Sequence, residues 1–146
     1  MKSMQKKGIG AQANKHMIKS FVIDTNILVR FVVGDNSEQL QKIQNVFRLA
    51  EKGKVRLLLP SLVFAEACFV LESWYKQKKS DIAEVFSILV SSPWIEFEER
   101  DALLQTLHNY SQGMHFVDAY LIAKSLIEQK EILTFDKKLK KLSFVQ

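Results

Sequence analysis

The stretch Phe21-Val22-Ile23-Asp24-Thr25-Asn26 decides the fold class that we predict for this chain. Three apolar residues suit a buried strand, and an acid with two further polar residues follows where that strand must end. A similar stretch, Ile132-Leu133-Thr134-Phe135-Asp136, lies near the other end of the chain. Ligands gather at the carboxyl ends of parallel strands, so Asp24 and Asp136 are expected to meet at one edge of a sheet.

Helical segments separate the strands that the sequence predicts. Apolar spacing, Gly and Pro positions and capping residues mark both kinds of element. Gly34 is predicted to end the first helix, and Asn36-Ser37 and Ser80-Asp81 are predicted to cap the second and fourth helices. Strands that alternate with helices favour an α/β fold, in which helices flank a mostly parallel central sheet. The predicted strands are 21–24, 55–59, 94–97 and 131–135, and the predicted helices begin near Asn26, Ser37, Ser61, Ser80, Asp101, Phe116 and Asp136.

Length and composition indicate one soluble domain. The chain has 146 residues, 47% of them hydrophobic and 25% charged, which is ordinary for a globular protein. Its apolar runs end well before the roughly 20 residues that cross a bilayer, so no membrane span is expected. Five of the 21 basic side chains lie in the first 20 residues, which contain no acid, and the rest of the chain is neutral. The net charge of +5 is therefore weak evidence for nucleic-acid binding.

The start of the chain is expected to differ from the rest. Residues 1–19 are predicted to be a disordered basic extension and residues 20–146 to be the folded domain, because the extension lacks the apolar core of a secretory signal. Met17 leaves open whether the true start lies there. The single Cys68 cannot form an intrachain disulfide, which suggests a reducing compartment and a cytoplasmic location.

Two further acids lie in predicted helices. Glu66 follows Leu62 by one turn and precedes Phe69 by one turn, and Asp118 has the apolar Ile122 one turn later. Both side chains are therefore expected to face inward, where an uncompensated charge would be costly. Alternatives remain for each, since Glu66 could lie on an exposed helix face and Asp118 could stabilise a helix start through the helix dipole.

Taken together, the four acids predict one metal site. Asp24 and Asp136 are individually explained equally well as helix caps, but capping does not account for Glu66. Oxygen ligands favour Mg²⁺ or Mn²⁺ over Zn²⁺. Four close carboxylates would repel one another unless divalent cations compensated them. Such a site can activate water and stabilise charge on a phosphodiester, so phosphodiester hydrolysis is the predicted reaction.

Other residues are candidates for supporting or substrate-binding roles. Asn26 can hydrogen-bond across the turn after Asp24, and Thr134 shares a strand face with Asp136 and can orient a ligand or water beside it. Lys137 and Lys138 begin a basic segment that could hold a phosphate backbone. A solvated amphipathic helix explains those lysines at least as well.

One more segment combines aromatic and basic groups. Trp74 and Tyr75 precede Lys76, Lys78 and Lys79 at the predicted end of a helix. The sequence leaves open whether a nucleic acid or a protein would contact them.

The sequence resembles the PIN-domain family and, within it, the small VapC-type toxins of bacterial toxin-antitoxin pairs. The resemblance rests on four short motifs in the family's order and spacing, and it extends from Phe21 to about Leu142. The motifs are Phe21-Val22-Ile23-Asp24-Thr25-Asn26 with Gly34-Asp35 after it, Leu59-Pro60-Ser61 through Ala65-Glu66, Phe116-Val117-Asp118-Ala119, and Thr134-Phe135-Asp136.

The resemblance implies a PIN-like three-layer sandwich and an endoribonuclease that depends on Mg²⁺ or Mn²⁺. It also implies a homodimer that acts on RNA and is neutralised by a cognate antitoxin protein. In this reading, Asn26 and Thr134 support the metal-binding catalytic residues, which are Asp24, Glu66, Asp118 and Asp136.

Three alternatives remain open at this point. The first is a PIN nuclease in RNA processing that has no antitoxin, and the second is a noncatalytic RNA- or protein-binding module in which the acids are caps. The third is a haloacid-dehalogenase-like phosphatase, which also has an Asp after its first strand. That chemistry requires a second Asp two residues later, where this chain has Asn26.

Overall fold

A computed structural model describes residues 17–146, which form three strands and seven helices. The strands are β1 (Lys19–Val22), β2 (Val55–Leu58) and β3 (Ile95–Glu96). The helices are α1 (Thr25–Val33), α2 (Ser37–Glu51), α3 (Ser61–Ser73), α4 (Lys79–Ser91), α5 (Arg100–Ser111), α6 (Phe116–Glu128) and α7 (Lys137–Leu142).

The strands form one parallel sheet in the order β1-β2-β3. Phe21 pairs with Leu57, and Leu57 pairs with Ile95 on its other side. The backbone N–H of Ile23 still donates to the ladder, 2.9 Å from the Leu58 carbonyl oxygen. Asp24 therefore leaves the sheet at the carboxyl edge, and helices flank the sheet as the predicted α/β class requires.

Aromatic side chains connect the helices to the sheet. Phe64 of α3 is fully buried and lies edge-on to Phe86 of α4, with ring centroids 5.1 Å apart. The ring centroid of Phe47 in α2 lies 5.1 Å from that of Phe31 and 5.4 Å from that of Trp94, the residue before β3. Burial of these large apolar surfaces is the main stabilisation of such a domain.

Two of three predictions about where helices begin or end agree with the structure. Gly34 ends α1 in the left-handed region with φ 65°, and Asn36 caps α2 by accepting a hydrogen bond from the Gln39 N–H, so both predictions are confirmed. The predicted cap at Ser80-Asp81 is wrong. Helix α4 begins earlier, at Lys79, and has no side-chain cap.

The predicted fourth strand, 131–135, does not form. Leu133 and Phe135 in this segment are fully exposed. Before this segment, and again beyond α7, the chain is tied to the end of α6, because the Ser125 hydroxyl donates to the Lys130 carbonyl at 2.5 Å and accepts from the Phe144 N–H at 2.9 Å. These bonds hold the segment beside α6 instead of along β1.

The beginning of the domain lies close to its predicted boundary. Strand β1 starts at Lys19, which is the last residue of the predicted extension. Residues 1–16 lie outside the described part of the chain, so the predicted disorder there stays a prediction. Within residues 17–146, no helix has the length and apolar character needed to span a membrane.

Candidate carboxylate site

Each of the four predicted acids lies at or near the start of a helix. Asp24 and Asp136 are the N-cap residues of α1 and α7, Asp118 lies in the first turn of α6, and Glu66 lies in the second turn of α3. Helix α1 packs against α3, α3 against α6, and α6 against α7. The first turn of a helix carries partial positive charge, so Asp24, Asp118 and Asp136 occupy electrostatically favourable places, whereas Glu66 lies beyond that turn.

A hydrogen bond from the residue after Asp24 connects the start of α1 to Glu66 of α3. The Thr25 hydroxyl donates to Oε2 of Glu66 at 2.6 Å, and Thr25 directly follows Asp24. Oδ1 of Asp24 accepts the Ile27 N–H at 3.0 Å. The capping alternative is therefore seen for Asp24, but the cap uses only one of its two carboxylate oxygens.

Glu66 is exposed, so the prediction that it faces inward is wrong. Its neighbours one turn away, Leu62 and Phe69, are 80% and 65% exposed. Helix α3 buries another face, which contains Phe64 and Leu71. The apolar residues around Glu66 thus belong to an exposed stripe, and the carboxylate stays in contact with water without a burial cost.

Asp118 and Asp136 line one cleft of about 400 Å³, which lies between the α5–α6 connection and α7. Asp118 is half-buried and Asp136 is exposed. Oδ1 of Asp136 caps α7 by accepting the N–H groups of Lys138 and Leu139 at 2.8 and 3.1 Å. Lys138 and His115 also line this cleft, which places one basic side chain beside the two acids.

The structure brings the acids together as two groups. Among residues 17–146, no three His, Cys, Asp or Glu side chains lie close enough to hold one metal ion. Thr134 accepts the backbone N–H of Asp136 at 3.0 Å, so it fixes the backbone at that acid. Asn26 and Lys137 are exposed. The residues that were predicted from the sequence thus lie on connected elements, but not in one shell.

Glu99 is a further charged residue at this end of the fold, and no sequence pattern pointed to it. It precedes α5 and accepts hydrogen bonds from Lys124 Nζ at 2.5 Å and from the Tyr120 hydroxyl. The bonds from Lys124 and then from Tyr120 lower the pKa of Glu99. Burial, together with the bond to Glu99, raises the pKa of Tyr120 to about 12. Since Tyr120 is two residues from Asp118, Glu99 ties the start of α6 to the start of α5.

Thr25 was also missed as a contact residue by the sequence reasoning. Its only signal was its place directly after Asp24. The hydrogen bond to Glu66 joins residues 41 positions apart, which no local pattern predicts.

Comparison with known proteins adds two findings. The model of the PIN domain family matches residues 21–145 of the chain. A VapC ribonuclease of Aquifex aeolicus (strain VF5) is 30% identical to the chain over 127 residues, which cover 84% of this chain and 92% of that protein. No solved structure matches the chain.

Proposed function

Because the chain belongs to the PIN domain family, we propose that it is a metal-dependent endoribonuclease and the toxin of a VapBC-type toxin-antitoxin pair. The observation that carries this proposal is the similarity to a VapC ribonuclease along nearly the whole of both chains. The four acids at helix starts support it, because they provide a donor set that suits the hydrolysis of RNA phosphodiester bonds.

The proposed metal ligands are Asp24, Glu66, Asp118 and Asp136, and the proposed cofactor is Mg²⁺ or Mn²⁺. All four offer oxygen, which these hard cations prefer. The hydrogen bonds described above engage Oδ1 of Asp24 and of Asp136 and Oε2 of Glu66, so each carboxylate has a second oxygen to offer. A bound ion of this kind supplies an activated water and stabilises charge on the phosphodiester.

The surrounding residues have supporting tasks in this proposal. Thr25 holds one oxygen of Glu66 and turns the other towards the site. Thr134 fixes the backbone at Asp136, and Asn26 remains a candidate for a bond across the first turn. Lys137 and Lys138 would bind phosphates on either side of the cleaved bond, since Lys138 lines the cleft with Asp136 and lysines position a nucleic-acid backbone.

RNA cleavage by the purified protein tests the proposal. Cleavage is expected with Mg²⁺ or Mn²⁺ and is expected to stop with a chelator. Asp24→Asn and Asp118→Asn should each lower the rate by about 100-fold or more, because each removes a ligand charge. Asp101→Asn is the matched control, since Asp101 is an exposed acid in the first turn of α5. Activity that survives both chelation and the two substitutions would refute the proposal.

A noncatalytic nucleic-acid-binding module is the second candidate function. The hydrogen bonds by which Asp24 and Asp136 cap their helices favour it, because these bonds give both acids a purely structural task. The same assay separates the two functions. RNA binding without turnover under any metal would support the module and contradict the nuclease.

The proposed partners are a cognate antitoxin protein and a second copy of the chain. Exposed apolar side chains on α3 and α6 support a protein partner, since large exposed apolar patches mark interaction sites; they are Leu62, Phe69, Val117 and Leu121. A small antitoxin reading frame next to the gene would support a toxin over a nuclease of RNA processing. Ultracentrifugation of the purified protein alone would show whether it dimerises.

A further inference from the structure

Residues 74–78, which join α3 to α4, form an exposed turn that we call the aromatic-basic turn. Trp74 is 78% exposed and Tyr75 is 38% exposed, and Lys76 and Lys78 are exposed beside them. We propose that this turn is a subsite for single-stranded RNA, on which bases stack and from which the strand runs to the acid-lined cleft. The inference rests on the proposed function, because it names where the substrate of that cleft is held.

The aromatic-basic turn is joined directly to the rim of the cleft. Lys79, the first residue of α4, donates from Nζ to the carbonyl oxygens of Gly113 and Met114, both at 3.0 Å. Gly113 and Met114 line the cleft that contains Asp118 and Asp136. A strand that leaves the cleft along this rim therefore reaches the aromatic-basic turn next.

Partly buried contacts of Lys79, and a backbone hydrogen bond of Gln77, anchor the end of the turn to the body of the domain. The Lys79 ammonium lies 5.4 Å from the centre of the Tyr110 ring, and it lies 3.7 Å from Oε1 of Glu72. The Tyr110 hydroxyl, in turn, donates to Oε2 of Glu72 at 2.9 Å. At the turn itself, the Gln77 N–H donates to the Leu71 carbonyl at 3.0 Å. The end of the turn is thus anchored to the domain, while the rings of Trp74 and Tyr75 stay exposed where a base can stack on them.

The chemistry of the turn fits RNA better than protein. Trp and Tyr are enriched at protein interfaces, but Lys is depleted there. Single-stranded nucleic acid, by contrast, is bound by aromatic rings that stack with bases and by basic groups that follow the backbone. Lys76 and Lys78 flank the rings on the same turn and can contact phosphates. Stacking needs no particular base, so this subsite would bind strands of many sequences.

Tryptophan fluorescence gives a direct test. The chain has two tryptophans, and Trp94 is half-buried against Phe47, so Trp94→Phe leaves Trp74 as the reporter. With a chelator present to prevent cleavage, this variant is titrated with an oligouridine of about ten nucleotides. We expect the fluorescence to be quenched. An abasic oligomer of the same length and charge should bind through phosphates without quenching, because it has nothing to stack.

Affinity measurements on the otherwise unchanged chain give the second test. Trp74→Ala should weaken oligouridine binding about tenfold, and Trp74→Phe should restore most of the affinity because it keeps a ring. Ile88→Ala is the matched control, since Ile88 is a large apolar residue of α4 that is 66% exposed and lies outside the aromatic-basic turn. Its affinity should equal that of the unchanged chain.

Several outcomes would overturn the inference. It fails if the fluorescence of Trp74 does not respond to oligouridine, or if Ile88→Ala weakens binding as much as Trp74→Ala. It also fails if only an antitoxin protein changes the fluorescence, because the turn would then be a protein contact. RNA cleavage without quenching of the Trp74 fluorescence would refute the proposed subsite but would agree with the proposed nuclease activity. Quenching without cleavage would support the subsite and contradict the nuclease.

Discussion

Replacing Glu99 with glutamine should lower the free energy of unfolding by about 1–2 kcal/mol. The Glu99 carboxylate accepts from Tyr120 and Lys124 on α6, and it is 26% exposed. Glutamine keeps the shape of the side chain but loses the charge and one acceptor oxygen. The substitution therefore removes an electrostatic tie between the starts of α5 and α6 without opening a cavity.

The magnitude follows from the individual contacts. A half-buried hydrogen bond from the Tyr120 hydroxyl to a charged acceptor contributes about 1.5 kcal/mol or more. The Lys124 pair is 26–30% exposed and contributes between about 0 and 1 kcal/mol after screening by solvent. The Ser61 hydroxyl lies 3.5 Å away, which is too long to add much. Glutamine can still accept a weaker hydrogen bond from Tyr120. We therefore expect the loss in free energy of unfolding to be about 1–2 kcal/mol, which is less than the full contribution of both contacts. In a chain of this length the melting temperature should fall by about 2–8 °C.

The effect should depend on pH. Folding lowers the pKa of Glu99 from its ordinary value of 4.5, so its stabilisation is fully present above that value and is lost as the pH falls through the folded pKa. Folding raises the pKa of Lys124 from its ordinary value of 10.5, through its bond to Glu128 first and its bond to Glu99 second. The contribution of the Glu99 bond is therefore fully present below 10.5 and is lost as the pH rises through the folded pKa of Lys124. The free energies of unfolding of Glu99→Gln and the unchanged chain should differ by a constant amount between pH 4.5 and pH 10.5. The difference should become smaller at more acidic and at more alkaline pH.

Urea unfolding followed by circular dichroism measures this prediction across the pH range. Tyr120→Phe is the matched variant, because it removes one donor and leaves the carboxylate paired with Lys124. The losses in free energy of unfolding caused by Glu99→Gln and Tyr120→Phe should sum to more than the loss in the double variant. The reason is that both substitutions weaken the same hydrogen bond. Equal stability of Glu99→Gln and the unchanged chain at neutral pH would refute the reasoning, as would a difference that persists unchanged in acid.

Three further predictions concern the core, a helix end and the thiol. Phe64→Ala should cost about 3–5 kcal/mol in urea unfolding, because it leaves a cavity beside Phe86; a loss below about 1 kcal/mol would contradict the packing. Gly34→Ala should cost about 1 kcal/mol, since φ is +65° and the added Cβ would meet Leu40 Cδ2 at a tolerable 3.6 Å; an unchanged unfolding midpoint would show that the backbone relaxes. Burial raises the pKa of the Cys68 thiol to about 12, so iodoacetamide at about pH 8 should label it only in urea, and rapid labelling of the folded chain would disprove its burial.

Local signals were sufficient for most of the fold. The first three strands and all seven helices lie within a few residues of their predicted places. Gly34 and Asn36 mark helix ends because the reason lies within the residue and its nearest neighbours, namely a left-handed backbone and a short side chain that caps. Such signals need no knowledge of the rest of the chain.

Apart from the Ser80-Asp81 cap, the errors came from properties that depend on partners far along the chain. The segment 131–135 has the composition of a strand, but a strand needs a neighbouring strand to pair with, and Ser125 instead ties the chain to α6 before this segment and again beyond α7. The apolar residues around Glu66 indicated burial, yet Leu62 and Phe69 remain exposed in this chain. Composition shows that a surface is apolar and does not show whether another element covers it.

The site was only partly predictable for the same reason. Asp24 and Asp136 were found because each follows an apolar run where a helix begins, and Glu66 and Asp118 because each is an acid among apolar helical residues; both are local features. Thr25 and Glu99 act through contacts with residues 41 and 21–38 positions away. Nothing in the residue types of Thr25 and Glu99 or in their sequence neighbours indicates these contacts. The contacts become visible only when α3 and α6 are packed in the fold.

The two interpretations of Asp24, a helix cap and a metal ligand, are compatible, and one pair of substitutions separates them. Asp24 caps α1 through Oδ1 alone, so the other oxygen can serve a cation at the same time. Asparagine caps a helix about as well as aspartate does, whereas alanine costs about 1 kcal/mol. Asp24→Asn should therefore unfold at the same urea concentration as the unchanged chain while losing RNA cleavage, and Asp24→Ala should lose both stability and cleavage. If Asp24→Asn cleaves RNA normally and only Asp24→Ala fails, the role of this acid is to begin the helix.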